Sequence, residues 1–118
     1  EKIRDNCEKI VNAVNGRNML VVEHFLDKDF AGEQQYQTRD KAIRRLACNL
    51  DDYRVTGVKH KILDLNVRDN LATMVVRGDI TSETIPVMRL NWRVIWIKRS
   101  RGWLVYKVKG PGAAENEE

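Results

Sequence analysis

Apolar positions recur every three or four residues in the first half of the chain and every two in the second. Between Lys2 and Asn15, Ile3, Cys7, Ile10 and Val14 fall on one stripe, the spacing of an amphipathic helix. Asn15–Gly16 is a stop signal. A shorter helix is predicted from about Asn18 to Leu26, with Met19, Val22 and Leu26 on one side and Val21 and Phe25 beside them. "DKDFAGEQQYQ" keeps neither period and reads as loop or short strand, anchored by Phe30 and Tyr36. Thr38 is suited to cap a third helix, with Asp40 in its first turn complementing the dipole. In that helix Ile43, Leu46, Leu50 and Tyr53 form the predicted buried stripe.

From Val55 the period becomes two. Val58, His60 and Ile62 share one parity against Lys59 and Lys61, and then Leu63, Leu65 and Val67 take over. That switch means a bulge near Leu63–Asp64 or a strand covered on both faces. "RDN" makes a tight turn, and the returning strand sets Ala72, Met74 and Val76 against Thr73, Val75 and Arg77. "SETIP" is a longer loop, because Pro86 cannot donate within a central ladder. In the last hairpin, a four-residue turn from Arg99 to Gly102 pairs Lys98 with Trp103 and Trp96 with Val105. The tryptophans then gather on one face, and Ile95, Ile97, Leu104 and Tyr106 form an apolar patch on the other. A turn one residue different swaps the faces of the final strand. Three helices followed by a four-strand meander predict an α+β domain, with helices packed on one side of an antiparallel sheet.

Composition narrows the class. A chain of 118 residues supports one core, and 42% hydrophobic with 32% charged residues is ordinary for a soluble globular domain. No apolar run reaches the length of a membrane span, and no signal peptide is recognisable. Because the chain begins at Glu1 rather than Met, it is expected to be a processed form, and its compartment is left open. A net charge of +4 permits an anionic partner without requiring one. The charge is unevenly placed: no acid lies between Glu83 and Glu115, and Arg89 to Gly110 carries seven Lys or Arg among three tryptophans. Residues 1–110 read as the domain, and 111–118 as a disordered acidic tail. Cys7 lies on the core stripe, whereas Cys48 faces away from it, so the two are not expected to pair. They are also too few and too separated for zinc.

These local sequences, in this order, resemble the nuclear transport factor 2-like superfamily and, within it, the SnoaL-like branch with its cystatin-like cone. "NGRNMLVVEHFLDKDF" resembles the family's second helix and the segment closing its cone, and "TRDKAIRRL" the start of its third helix, with Thr38 in place of a glycine. "LDLNVRDNLATMVVRGDIT" is similar to its hairpin, and "WRVIWIKRSRGWLVYKV" to its last one, with Trp103 after a glycine-containing turn. The resemblance implies a strongly curved antiparallel sheet wrapped around a long helix as a cone-shaped roll, with a pocket at its open end. It also implies frequent dimerisation through the sheet's outer face. Members include isomerases, dehydratases, epoxide hydrolases and cyclases, alongside many non-catalytic binding modules.

Family enzymes project an aspartate into the pocket, where an apolar wall raises its pKa toward that of a general base. The candidates are Tyr36, Tyr53, His60, Asp64 and Asp79, and none of them sits in a recognisable catalytic motif. His60 is expected to face the helices. Asp64 does so only if no bulge intervenes, Asp79 is expected on the exposed face, and His24 at the surface. The expected ligand-lining set is Tyr36, Tyr53, His60, Trp92, Trp96 and Trp103, with no cofactor and no metal. A pocket for a small apolar or aromatic molecule ranks first, with isomerase- or dehydratase-like chemistry as one form of it. A non-catalytic association module ranks second. Nucleic-acid binding ranks last, because cations around a hairpin tip also serve as a solvated rim that guards against edge pairing. With apolar groups on both sheet faces, a homodimer through the outer face is expected.

Overall fold

The computed structural model describes residues 2–32 and 37–113. Its elements in chain order are α1 (Lys2–Asn15), α2 (Met19–His24), β1 (Leu26–Gly32), α3 (Arg39–Asp52), β2 (Val55–Arg68), β3 (Leu71–Ser82), β4 (Met88–Arg99) and β5 (Gly102–Ala113). The five strands form one strongly curled sheet in the order β1-β5-β4-β3-β2, with β1 parallel to β5 and the other pairs antiparallel. The three helices pack against one face, giving an α+β roll.

The helix boundaries follow from the signals in the sequence. α1 buries Ile3, Cys7 and Ala13 and ends where Arg17 turns to a φ of 59°. The Asn18 side chain accepts from the N–H of Val21 at 3.3 Å, and Thr38 Oγ1 accepts from the N–H of Lys41 at 3.2 Å, so both later helices start on a side-chain cap. The helical stripe breaks at its end: α3 stops at Asp52, and Tyr53 becomes the C-cap, 53% exposed rather than buried.

In the sheet, Ile62 pairs with Val76 but Asp64 with Val75, so Leu63 is the extra residue of a bulge. The two-residue turn at Asp69–Asn70, with Asp69 at a φ of 56°, joins β2 to β3. The final hairpin has the four-residue turn: Arg99 opposes Gly102, Lys98 opposes Trp103 and Trp96 opposes Val105. Tyr106 is then extra, because Ile95 already pairs with Lys107. β5 continues through Pro111 to Ala113, opposite Leu90, so the first three positions assigned to the tail are strand. Residues 114–118 lie outside the described residues.

"DKDF" resolves as part of β1, held by charge. Asp27, 1% exposed, accepts two hydrogen bonds from Arg99, Nε to Oδ1 at 2.9 Å and the second guanidinium N–H to Oδ2 at 3.1 Å. The N–H of Asp29 adds a third at 3.1 Å. The Arg99 guanidinium holds the Asp27 carboxyl below its ordinary range, against the opposing effect of burial.

At the far edge, the Asn15 side chain stands in for a missing strand. Its Nδ2 donates to the Val58 carbonyl at 3.0 Å, and its Oδ1 accepts from the Val58 N–H at 2.8 Å. Replacing Asn15 by Ala should cost about 1 kcal/mol, because this pair is exposed and water can take over part of the bonding. Hydrogen exchange should speed up at the Val58 amide before it does at β3 or β4, which is the measurement that checks it.

Candidate functional site

Cross-strand partners point to the same face, so the register sorts every side chain of the sheet. The helix-covered inner face carries rows. One row is Val67, Ala72, Trp96 and Val105; the next is Leu65, Met74, Val94 and Val108. Ile62, Val76 and Trp92 follow, then His60, Gly78 and Leu90. Burial falls through this series along β4, whereas β2 runs the other way, from Val67 at 47% exposed to half-buried Ile62 and His60. Ala72, Met74 and Trp96 are each 1% exposed, whereas His60, Ile80, Leu90 and Trp92 are half-buried. The helices therefore seal the middle of the roll around Ala72, Met74 and Trp96 and leave the Trp92–Leu90 end of β4 partly covered.

At the partly covered end, Trp92 lies against Gly78. A Cβ added to Gly78 would come within 2.7 Å of the indole, so glycine is what lets the ring lie flat on β3. His60 stands beside the same glycine on β2. The structure thus brings His60 and Trp92 together and disperses the rest of the expected set. Trp96 is sealed in the core, and its Nε1 has no hydrogen-bond partner. Trp103, half-buried like Trp92, packs against the same core beside the last hairpin turn, where its carbonyl accepts from Asn6 Nδ2 at 3.0 Å. Tyr53 points away on the C-cap of α3, and Tyr36 lies outside the described residues.

Asp64 and Asp79 fall on the outer face. Asp64 opposes Val75 beyond the bulge, and Asp79 sits between Arg77 and Arg89 at 3.4 and 3.6 Å. His24 is exposed, with its carbonyl accepting from Arg101 at 2.8 Å. Both cysteines are free, Cys7 buried and Cys48 exposed, and burial pushes the Cys7 thiol up to about 11. Among the described residues there is no group of three or more His, Cys, Asp or Glu arranged to hold a metal. No helix among them is long and apolar enough to cross a membrane.

Two shallow grooves occur on the helical side. One runs past Lys9, Asn12, Gly16, Val21 and Phe25, and the other past Glu23, Asp40, Ile43 and Arg44. Among the described residues, none of those nominated from the sequence lines either groove.

This architecture, three helices on one face of a curled sheet with a half-covered inner end, defines a cone-shaped α+β roll. It is the nuclear transport factor 2-like fold, also described as cystatin-like. A domain of unknown function with a cystatin-like fold from Nostoc punctiforme superposes with a TM-score of 0.78 at 13% identity, over 98% of this chain and 77% of that one. A nuclear transport factor 2-like protein of unknown function from Pseudomonas putida gives 0.76 at 13% identity, over 98% and 87%. A candidate dehydratase of the nuclear transport factor 2-like family from Streptomyces avermitilis gives 0.74 at 11% identity, over 96% and 95%. No protein-family profile and no curated protein matches the sequence.

Proposed function

We propose that this chain is a small-ligand-binding domain of the SnoaL-like kind, taking an uncharged apolar or aromatic molecule at the partly covered end of the inner face. The observation that carries this reading is the fall in burial along β4, from Trp96 and Val94 to half-buried Trp92 and Leu90, where Trp92 lies on Gly78 with His60 beside it. Half-buried apolar side chains around one flat aromatic ring offer contact area, and the imidazole offers a polar group to orient a ligand. Binding is favoured over turnover because both sheet aspartates considered as bases, Asp64 and Asp79, lie on the opposite face. The likeness to a candidate dehydratase supports a ligand site and does not supply a catalytic group.

The test uses N-phenyl-1-naphthylamine, an uncharged aromatic probe whose emission rises on leaving water. Saturable binding to the natively folded chain is expected, weakened about tenfold, or about 1.4 kcal/mol, by Trp92→Ala. Two results would overturn the proposal. One is the absence of saturable binding. The other is binding indifferent to Trp92→Ala but lost with Val21→Lys, which would move the site to the groove beside α2.

A further inference from the structure

The outer face of the sheet carries a different message from the inner one. Register places Lys59 and Lys61 of β2, Arg77 of β3, Arg89 and Arg93 of β4 and Lys109 of β5 on this face as one contiguous block. Six cations there share the surface with two carboxylates, Asp64 and Asp79, and Asp79 is already flanked by Arg77 and Arg89. Arg68 and Lys107 extend the block toward its other end. Asn91 lies inside it, across from Arg77, and its Oδ1 is buried without a hydrogen-bond partner.

Three occupants compete for such a face. A second copy of the chain, seated face to face, would bring two cationic blocks together, which opposes the homodimer expected from the sequence. An acidic protein would prefer an apolar centre, whereas only Val75 among the apolar side chains here lies within the block, and Leu71, Ile95, Ile97 and Leu104 gather toward the opposite end of the strands. A nucleic-acid backbone asks for what the block supplies, a polar surface dense in cations with little apolar content. The sheet curls toward the helices, so this face is convex. A flexible single strand can follow a convex surface, while a stiff duplex touches it only locally. Tyr106, the extra residue at the β5 bulge, lies beside the block with the Lys107 ammonium 5.3 Å from its ring centroid, and offers a ring on which a base can stack.

We infer that the outer sheet face is a docking surface for single-stranded nucleic acid, read through its phosphates and without sequence preference. It lies on the side of the sheet away from the ligand site, so either proposal can fail alone.

Fluorescence anisotropy with a labelled twenty-residue oligothymidylate tests it. Neutralising about six phosphates gives a slope near −4 in log affinity against log salt, a loss of about 300-fold between 50 and 200 mM. The double substitution Arg93→Glu with Lys109→Glu changes an exposed cross-strand pair, and the fold should survive it by circular dichroism. It should weaken binding more than tenfold and reduce the slope by one to two. Arg44→Glu with Arg45→Glu makes the same change in net charge on the exposed side of α3 and should leave binding within twofold. Four results would overturn the inference: no binding at 50 mM salt, equal loss from both double variants, equal affinity for duplex or for polyglutamate, or sedimentation showing a dimer that the Arg93/Lys109 substitutions dissociate.

Discussion

Trp96→Ala should lower the unfolding free energy by about 3–5 kcal/mol, the range for truncating a buried aromatic. The side chain is 1% exposed and meets Ala72 on one flanking strand and Val105 on the other. Few side chains are placed to refill the space, because both neighbours in the row are short and fixed to the sheet. Native domains are stable by about 5–15 kcal/mol, so this one change removes a large share of the total. Trp96→Phe separates packing from polarity. It keeps most of the apolar surface and deletes a buried N–H that has no acceptor, so it should cost well under half as much as the alanine variant. Urea unfolding of the three proteins, with m held constant, checks both values. Equal losses for Phe and Ala would mean that Nε1 has a partner in solution.

Much of this architecture could be read before any coordinates, where local chemistry decides the outcome. The stripe of α1 and the Thr38 cap depend on residues close in sequence, and the pairing of Trp96 with Val105 follows once the hairpin turn is fixed at four residues. β1 was harder. Asp27 and Asp29 interrupt any apolar alternation, and the segment becomes a strand only because Arg99, seventy-two positions away, satisfies Asp27. Tyr53 shows the limit of periodicity, since it continues the spacing of the stripe one residue beyond the point where the helix ends.

For the nominated sheet residues, the face could be read from the sequence and the depth could not. Alternation sends His60, Trp92 and Trp96 to one side of the sheet, and Trp103 joins them only with the four-residue turn that the register shows. It cannot say how far three helices reach across that side, and this decides that Trp96 is core while Trp92 is half-covered. The basic outer face was hidden for another reason. Lys59 and Lys61 join Arg77, Arg93 and Lys109 only through the long-range register of four strands, so cations that look scattered along the chain become one block.

Asp27→Ala should cost about 2 kcal/mol at neutral pH, and the loss should shrink as the solution is made acidic. The carboxylate is nearly inaccessible and accepts three hydrogen bonds, two from Arg99 and one from the Asp29 N–H. Its guanidinium partner is partly open to solvent, and that screening keeps the figure below the 3–5 kcal/mol typical of breaking a fully buried pair. The sign of the pH effect follows from the direction of the shift. The folded-state pKa of Asp27 is lowered, first by the Arg99 hydrogen bond, while the unfolded carboxyl titrates near its ordinary value of about 3.9. Above that value the pair contributes its full stabilisation. As the pH falls through about 4 and on through the lower folded pKa, protons bind the unfolded chain first and the contribution is lost. Asp27→Asn keeps the shape and removes the charge, so its unfolding free energy should lie below that of the parent at pH 7 and converge with it toward pH 2. Denaturant midpoints for both proteins across that range provide the measurement. A gap that stays constant into acid would mean that Asp27 contributes through packing and neutral hydrogen bonds alone, with the clasp between β1 and β4 owing nothing to charge.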